Sequence, residues 1–251
     1  AIRAAFRVVL SKKRVVVLSP TTILANQLKS SFSARLEPNA ITVDMVSRFR
    51  SQKELISVKK SIEENNNDVL IGTHAVLNND IYLKNIGLLI VDEEHRFGVK
   101  HKEKIKRFKS CVDVLSMSAT PIPRSMNLAL SGIYSVSMLQ TAPRLRLPIK
   151  TQIEYYNESI IKEAIDFEVG RGGQVYFVHN DIDSIQNVSH KLQNLFPKNY
   201  VDYIHGQEPS GKIEKKMVAF ISGKIDVLVC TSIIESGIDV PAANCIIINN
   251  S

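Results

Sequence analysis

The chain has 251 residues, which is enough for one large domain or two small ones. Hydrophobic residues make up 44% and charged residues 23%, which excludes a disordered chain and a fibrous repeat, and no apolar run approaches the roughly 18 residues that a membrane span needs. Lysine and arginine number 32 against 25 aspartates and glutamates, and the net charge of +7 favours an anionic partner, of which nucleic acid is the commonest.

The first half of the chain alternates short apolar runs with amphipathic stretches. Strands are predicted at Val15–Leu18, Ala40–Met45, Asp68–Ile71, Leu88–Val91 and Val112–Met117. Helices are predicted at Ile23–Leu36, Lys53–Glu64 and Lys102–Phe108. Strands that are apolar throughout and alternate with helices indicate a parallel sheet covered on both faces.

The second half repeats this rhythm. Strands are predicted at Ile149–Glu154, Gln174–Val178, Val201–Ile204, Val227–Cys230 and Cys245–Ile248, and helices at Ser159–Val169, Asp183–Leu195 and Lys212–Ile221. Prolines and arginines interrupt the rhythm between the halves. We therefore predict an α/β protein with two domains, residues 1–141 and 150–251, joined by a linker at 142–149.

Adjacent carboxylates follow the strand Leu88–Val91, in the run Asp92-Glu93-Glu94-His95. The carboxyl edge of an open parallel sheet is where ligands bind in such folds. There Asp92 could hold a Mg²⁺ ion that bridges nucleotide phosphates, and Glu93 could orient and deprotonate an attacking water. The alternative is a solvated acidic turn that caps the next helix.

A small polar turn, Ser118-Ala119-Thr120, follows the next strand along the chain. Such a turn by itself is commonly no more than a turn. Because it comes one strand after Asp92, its hydroxyls could sense the state of the carboxylates and pass it to another surface.

Two further turns of the first half have the character of phosphate contacts. Pro20-Thr21-Thr22 and Gly72-Thr73-His74 each follow a predicted strand directly. Either threonine of the first turn could cap the following helix. Exposed amides and hydroxyls at such a place also suit a phosphate, so capping does not exclude phosphate binding.

The second half carries a longer polar segment, Thr231 to Pro241, after the strand Val227–Cys230. Gly237 permits a tight turn there, and Asp239 could accept hydrogen bonds from a ribose or position a basic group. His205-Gly206, after another strand, is a further possible phosphate turn, with a plain loop as the open alternative.

In their order and spacing these motifs resemble the motor core of the superfamily 2 DNA helicases and translocases. Residues 92–99, followed by Lys102 and Glu103, look like the group formed by RecG and the bacterial transcription-repair coupling factors (Mfd). The segments 47–54 and 171–176 are more similar to the coupling factors. The resemblance covers essentially the whole chain.

The resemblance implies two RecA-like domains that bind ATP, with Asp92 holding Mg²⁺ and Glu93 positioning the hydrolytic water. His95, Ser118 and Thr120 would couple hydrolysis to motion. Gly237 and Asp239 of the second domain would contact the nucleotide. It also implies contacts with double-stranded DNA through Pro20, Thr21, Thr22, Gly72, Thr73, His74, His205, Gly206, Thr231 and Ser232.

The same resemblance implies that the motor displaces stalled RNA polymerase and recruits excision-repair proteins through domains absent here, in the cytoplasm of a bacterium and without a membrane. The wide spacing of Cys111, Cys230 and Cys245 excludes a disulfide framework or a zinc cluster and fits a reducing compartment. Two other interpretations stay open: a RecG-like branch-migration helicase, and a non-catalytic nucleic-acid-binding α/β module.

Two motifs of the family are absent from the sequence. There is no G-x-x-x-x-G-K-[ST] phosphate loop and no late Gln-x-x-Gly-Arg-x-Gly-Arg run, whose arginine would stabilise charge in phosphoryl transfer. Both ends have the character of cuts within a longer protein. We therefore expect both domains to be truncated at their outer ends, and this piece alone to hydrolyse little or no ATP.

Overall fold

The computed structural model describes residues 1–47, 52–78, 80–108, 111–119, 135–141, 148–232 and 237–249. The chain divides into two compact units, Ala1–Met138 and Leu139–Ser251, and each contains one parallel sheet with flanking helices. The predicted α/β class is confirmed. Residues 142–147 of the predicted linker lie outside the described part, and the domain limits at 141 and 150 stay a prediction.

The first unit has a five-stranded sheet in the order β2-β3-β1-β4-β5, with every neighbouring pair parallel. Its strands are β1 Arg14–Leu18, β2 Val43–Val46, β3 Val69–Gly72, β4 Ile86–Asp92 and β5 Asp113–Met117. Its helices are α1 Ile2–Leu10, α2 Thr22–Leu36, α3 Gln52–Glu63 and α4 Val99–Phe108, with short 3-10 turns at Glu37–Asn39, His74–Asn78, Asp80–Leu83 and Glu94–Arg96.

Alternation along the strands sends neighbouring side chains to opposite faces of this sheet. Val15 and Val17 of β1 belong to a core that includes Phe32 of α2, whereas Val16 belongs to a core that includes Ile105 of α4. Burying each such aliphatic side chain contributes about 1.5–3 kcal/mol. Helices on both faces thus explain why Val15–Leu18 of β1 and Leu88–Val91 of β4 are apolar at every position.

The second unit has four strands in its described residues, in the order β7-β8-β6-β9 and again all parallel. The strands are β6 Gln174–His179, β7 Val201–Ile204, β8 Val227–Cys230 and β9 Ala243–Asn249, and the helices are α5 Glu158–Gly170, α6 Ile185–Leu195 and α7 Ser210–Ile221. Its main core forms around Val175, Phe177 and Val229 together with Ile165 of α5 and Leu192 of α6.

The predicted strand Ile149–Glu154 is wrong. Residues 148–157 have no regular secondary structure, and Ile149 and Ile153 are 85% and 91% exposed. The alternation of apolar and polar residues is typical of a strand, but a strand also needs a neighbour for its backbone hydrogen bonds, and this segment pairs with none of the four strands of the second unit.

The edges of the sheets where the strands begin, the amino edges, are held by two buried polar side chains. In the first unit the Arg14 guanidinium donates to the carbonyl oxygens of Asn67 (3.0 Å), Lys84 (2.8 Å) and Ile62 (3.1 Å). In the second unit Gln174 Nε2 donates to the carbonyl of Phe220 and to that of Ile225, each at 2.6 Å. Burial lowers the pKa of Arg14, and these acceptors compensate for its lost water.

The strand ends line up at the opposite, carboxyl edges. Leu18 pairs with Gly72, and Asp92 with Met117, so the turns that follow β1, β3, β4 and β5 lie along one edge of the first sheet. In the second unit Val178 pairs with Cys230. The polar turns singled out in the sequence therefore share an edge within each unit.

Candidate active site

Glu93 directly follows β4 and has a left-handed backbone, with φ 48° and ψ 53°. For a residue other than glycine this conformation costs on the order of 1 kcal/mol, and such strain is concentrated at functional sites. The Glu93 amide donates to the carbonyl of Met117 at 2.9 Å, so the turn is anchored to the end of β5. The Glu93 residue is only 7% exposed.

The Glu93 carboxylate is held by groups from two turns. Ser118 Oγ donates to Oε2 at 3.1 Å, and the Ala119 amide donates to Oε1 at 3.4 Å. His95 Nδ1 lies 3.2 Å from Oε2. The structure thus brings together three residues singled out in the sequence, Glu93, His95 and Ser118, whereas Thr120 lies outside the described residues.

Asp92 ends β4 and is half-buried. Burial and then the charge of Glu93 raise the pKa of its carboxyl group. A divalent cation would relieve both effects, and carboxylate oxygen is the ligand that Mg²⁺ prefers. In the described part of the chain no cluster of three or more His, Cys, Asp or Glu side chains is arranged for a metal. Mg²⁺ on a nucleotide takes most ligands from phosphate and water, so Asp92 fits such an ion.

A second link joins the same turns. Ser116 Oγ on β5 donates to Glu94 Oε2 at 2.5 Å. Sequence reasoning missed this pair, although Ser116 lies only two positions before Ser118. Two carboxylates of the β4 turn are thus tied to β5 by serine hydroxyls.

The turn after β1 resolves which threonine caps α2. Thr21 has an extended backbone, and its Oγ1 accepts from the Leu24 amide at 3.3 Å, which makes it the N-cap. Thr22 is the first helical residue and is buried. Pro20 precedes them and is half-buried. The start of α2 thus lies at the carboxyl edge, and helix starts are places where an anion can bind.

The turn after β3 is built on close packing. A Cβ atom on Gly72 would lie 2.5 Å from Val76 Cγ2 and 2.6 Å from the Val46 carbonyl oxygen, so only glycine fits. The Thr73 carbonyl accepts from the Val76 amide at 3.0 Å, and Thr73 is buried. The His74 ring contacts the ring of His101, with centroids 4.8 Å apart. Gly72 is thus explained by packing, which leaves a phosphate contact by its neighbours open.

In the second unit two predicted residues have buried polar atoms that find no hydrogen-bond partner among the described residues. These atoms are Thr231 Oγ1 and His205 Nδ1. Leaving such an atom unpaired costs about 1–3 kcal/mol, so an external partner at this edge would stabilise the protein. The Ser232 amide, by contrast, is held by Asn180 Oδ1 at 2.8 Å, and Gly206 is exposed.

Gly237 has φ +94°, which supports the tight turn predicted there, and Asp239 is exposed. The run from Gly206 to Lys212 has the glycine and lysine spacing of a phosphate loop, but Ile213 stands where that loop needs serine or threonine. Lys212 Nζ also lies 2.6 Å from Glu208 Oε1. Its charge is therefore already compensated within the protein.

A network around His179 was not anticipated. Asn249 Nδ2 lies 3.1 Å from His179 Nδ1, and His179 Nε2 lies 2.8 Å from Ser184 Oγ, so both ring nitrogens have a hydrogen-bond partner. Ser184 in turn donates to Asp181, and this bond is the first cause of the lowered pKa of Asp181. The sequence did contain a signal for this network. Like Thr231, His179 is a polar residue directly after a predicted strand.

The fold and this edge chemistry define a class of protein. Residues 1–128 match the DEAD/DEAH box helicase family, and residues 156–251 match the helicase conserved C-terminal domain. The chain belongs to the superfamily 2 helicases, and its two units are the RecA-like domains of that family. Among the described residues no helix has the length and apolarity that crossing a membrane requires.

Within this class the chain is similar to the transcription-repair-coupling factors. It is 46% identical over 251 residues to that of Escherichia coli strain K12, which covers all of this chain and 22% of the relative. It is 45% identical to that of Myxococcus xanthus, again over all of this chain and 21% of the relative. It thus spans about a fifth of the length of these relatives. A solved RecG bound to a three-way DNA junction is 33% identical with a TM-score of 0.74, covering 93% of this chain and 31% of RecG.

Proposed function

We propose that the chain is the motor core of an ATP-dependent double-stranded DNA translocase that displaces stalled RNA polymerase and couples transcription to nucleotide excision repair. The observation that carries the catalytic part is the Glu93 carboxylate, buried beside Asp92 and held by Ser118 and Ala119 of the turn after β5. The support for the transcription-coupled part is the 46% identity with a transcription-repair-coupling factor along the whole chain.

The two adjacent carboxylates divide the work of ATP hydrolysis. Asp92 would hold Mg²⁺, which when bound neutralises charge on the phosphates. Glu93 orients the attacking water and accepts its proton; Ser118 and Ala119 keep its carboxylate from rotating away. Gly237 and Asp239 of the second unit contribute nucleotide contacts.

Coupling of hydrolysis to motion starts from the hydrogen bond between Ser118 and Glu93. When Glu93 gains a proton, its oxygen accepts this hydrogen bond less strongly, since charge-assisted hydrogen bonds are about twice as strong as neutral ones. The end of β5 then changes its hold on the β4 turn. His95, next to the same oxygen, and Thr120 belong to this relay.

Double-stranded DNA is bound through its phosphates at the carboxyl edges of both sheets. The proposed contacts come from polar turns after the strands: Pro20, Thr21, Thr22, Gly72, Thr73 and His74 in the first unit, and His205, Gly206, Thr231 and Ser232 in the second. Binding through phosphates is insensitive to base sequence and strongly dependent on salt.

The proposed partners other than DNA are RNA polymerase and excision-repair proteins. They would bind to other domains of a longer protein in the bacterial cytoplasm. The chain by itself hydrolyses little or no ATP, because its sequence contains neither the phosphate-loop motif nor the late arginine motif.

The test uses the full-length protein with RNA polymerase stalled on a DNA template. Wild-type protein should release the polymerase only with ATP, and Glu93→Gln should lower both DNA-stimulated ATP turnover and release by at least about 100-fold, because a general base contributes about 10²–10⁴. Glu63→Gln is the matched control, since Glu63 is an exposed carboxylate on α3. Equal turnover by the Glu93 and Glu63 variants would refute the catalytic assignment.

A RecG-like branch-migration helicase is the second candidate. The 33% identity with RecG and the TM-score of 0.74 favour it. The full-length protein would then unwind a three-way DNA junction efficiently and leave stalled polymerase in place. Release of polymerase without junction unwinding would exclude this candidate.

A further inference from the structure

Helix α4, Val99–Phe108, carries an unusual concentration of positive charge. Within ten residues it has five lysine or arginine side chains and one carboxylate, Glu103. Ile105 is buried in the core of the first unit, and Phe108 packs against that core. The helix is therefore docked by its apolar side, and its cationic side chains are exposed.

One flank of α4 groups part of this charge. Lys100, Lys104 and Arg107 are spaced four and three residues apart, which places them on the same side of the helix. All three are exposed. We call these three residues the α4 basic flank.

The α4 basic flank continues directly from the turn after β3. Lys104 Nζ donates to the Leu77 carbonyl at 3.3 Å and to Asn78 Oδ1 at 3.2 Å, both in the short 3-10 helix that begins at His74. His101, one turn before Lys104, contacts the His74 ring. The acceptors of Lys104 are neutral, so its positive charge is not cancelled by these contacts.

The electrostatics of His101 agree with a cationic surface. Burial lowers its pKa first, and the charges of His74 and Lys104 lower it further. A bound anion would offset the repulsion that His74 and Lys104 exert on a protonated His101. The neighbouring turn, Gly72-Thr73-His74, is already a proposed phosphate contact, so a polyanion bound there would extend over the flank.

We infer that the α4 basic flank is a second contact with the DNA backbone, in which Lys100, Lys104 and Arg107 bind phosphates beyond the one at the Gly72-Thr73-His74 turn. This inference rests on the proposed function, because it takes DNA to be the partner. The flank adds affinity that depends on salt and not on base sequence, since phosphates carry no sequence information.

The experiment measures the salt dependence of DNA binding by the full-length protein. Lys100→Gln with Arg107→Gln should reduce the slope of log affinity against log salt by about 2, because each phosphate contact contributes about 0.9. Lys104 is left intact in this variant because it also holds the 3-10 helix. Glu103→Gln, which removes the opposing charge, should strengthen binding.

The matched control removes two exposed positive charges at the amino edge of the same sheet, by Lys12→Gln with Lys13→Gln. It should leave the slope unchanged. A wild-type slope that is steep and equal in all variants would overturn the flank as a DNA contact and leave the translocase proposal standing. If wild-type binding itself does not depend on salt, the DNA partner is wrong and the inference fails with it.

Discussion

The two units share a parallel α/β architecture but differ in what occupies the carboxyl edges of their sheets. In the first unit the centre is a buried carboxylate, Glu93, tied to the turn after β5 by Ser118 and Ala119. In the second unit the centre is an imidazole, His179, placed between Ser184 and Asn249. The first edge thus has a carboxylate held by hydroxyl and amide donors, whereas the second has an imidazole beside a hydroxyl that donates to Asp181.

The amino edges of the two sheets differ in the charge of the side chain that holds them. The first unit holds its amino edge with a buried cation, Arg14, on three carbonyl groups, and the second uses a neutral amide, Gln174, on two. We take the carboxylates of the first edge as support for the proposal that this unit carries the chemistry.

The largest expected effect is on the free energy of unfolding, and it tests the difference between the two amino edges. Arg14→Met should lower the free energy of unfolding by about 3 kcal/mol, because it leaves three carbonyl acceptors without a donor. Gln174→Met removes two such bonds and should lower it by about 1–2 kcal/mol. Urea unfolding of the full-length variants measures both, and an equal loss would show that the cation has no special role.

Ser118→Ala tests the carboxylate of the first edge without removing it. Turnover of ATP by the full-length protein should fall on the order of 10-fold at unchanged KM, because Glu93 loses a hydroxyl that positions it. Ser118→Thr keeps a hydroxyl and should restore most of the loss. Asn180→Ala in the second unit is the comparison, since Asn180 holds the Ser232 amide and no catalytic group. A rise in KM for ATP as large as the fall in kcat would speak against positioning of Glu93.

Thr231→Val tests the proposal that the carboxyl edge of the second sheet contacts DNA. Without DNA the variant should be as stable as wild type or more stable by up to about 1 kcal/mol, because a methyl group of the same shape replaces a buried hydroxyl that has no partner among the described residues. DNA affinity should fall about 5-fold, since a typical hydrogen bond contributes about 1 kcal/mol. Thermal unfolding and DNA titration measure the two effects, and a loss of stability would show that the hydroxyl has a partner within the protein.

The smallest effect concerns pH. The pKa of His101 is lowered in the free protein by burial and by the charges of His74 and Lys104. Bound phosphate would raise it again, so binding would take up a proton and DNA affinity should rise modestly as pH falls below about 6.5. His101→Gln should flatten this part of the pH profile in a DNA titration at constant ionic strength. An unchanged profile would place His101 away from the DNA.

Local sequence patterns predicted most of the strands of this chain and the polar turns that follow them. Nine of the ten predicted strands lie where expected, and the polar turns after them occur at the carboxyl edges. Continuous apolar runs and the polar residues that end them are local properties, and parallel pairing then brings the strand ends to one edge. The motifs of the first half also resembled a helicase motor, and the family match over residues 1–128 confirms that resemblance.

Some outcomes depended on tertiary contacts that no local pattern contains. Ile149–Glu154 has the alternation of a strand but no neighbouring strand. The choice of Thr21 over Thr22 as the cap of α2 required the backbone geometry of the turn, and the need for glycine at position 72 came from Val46 and Val76 packed against it.

The sequence by itself therefore determined the class of fold, the place of nine strands and the polar turns that follow them. The tertiary structure alone decided which side chains meet there: Ser118 with Glu93, Ser116 with Glu94, and His101 with His74. The physical reason is that these partners are 22 to 27 residues apart along the chain. Only the pairing of β4 with β5, and the docking of α4 beside the turn after β3, brings them within hydrogen-bonding or ring contact.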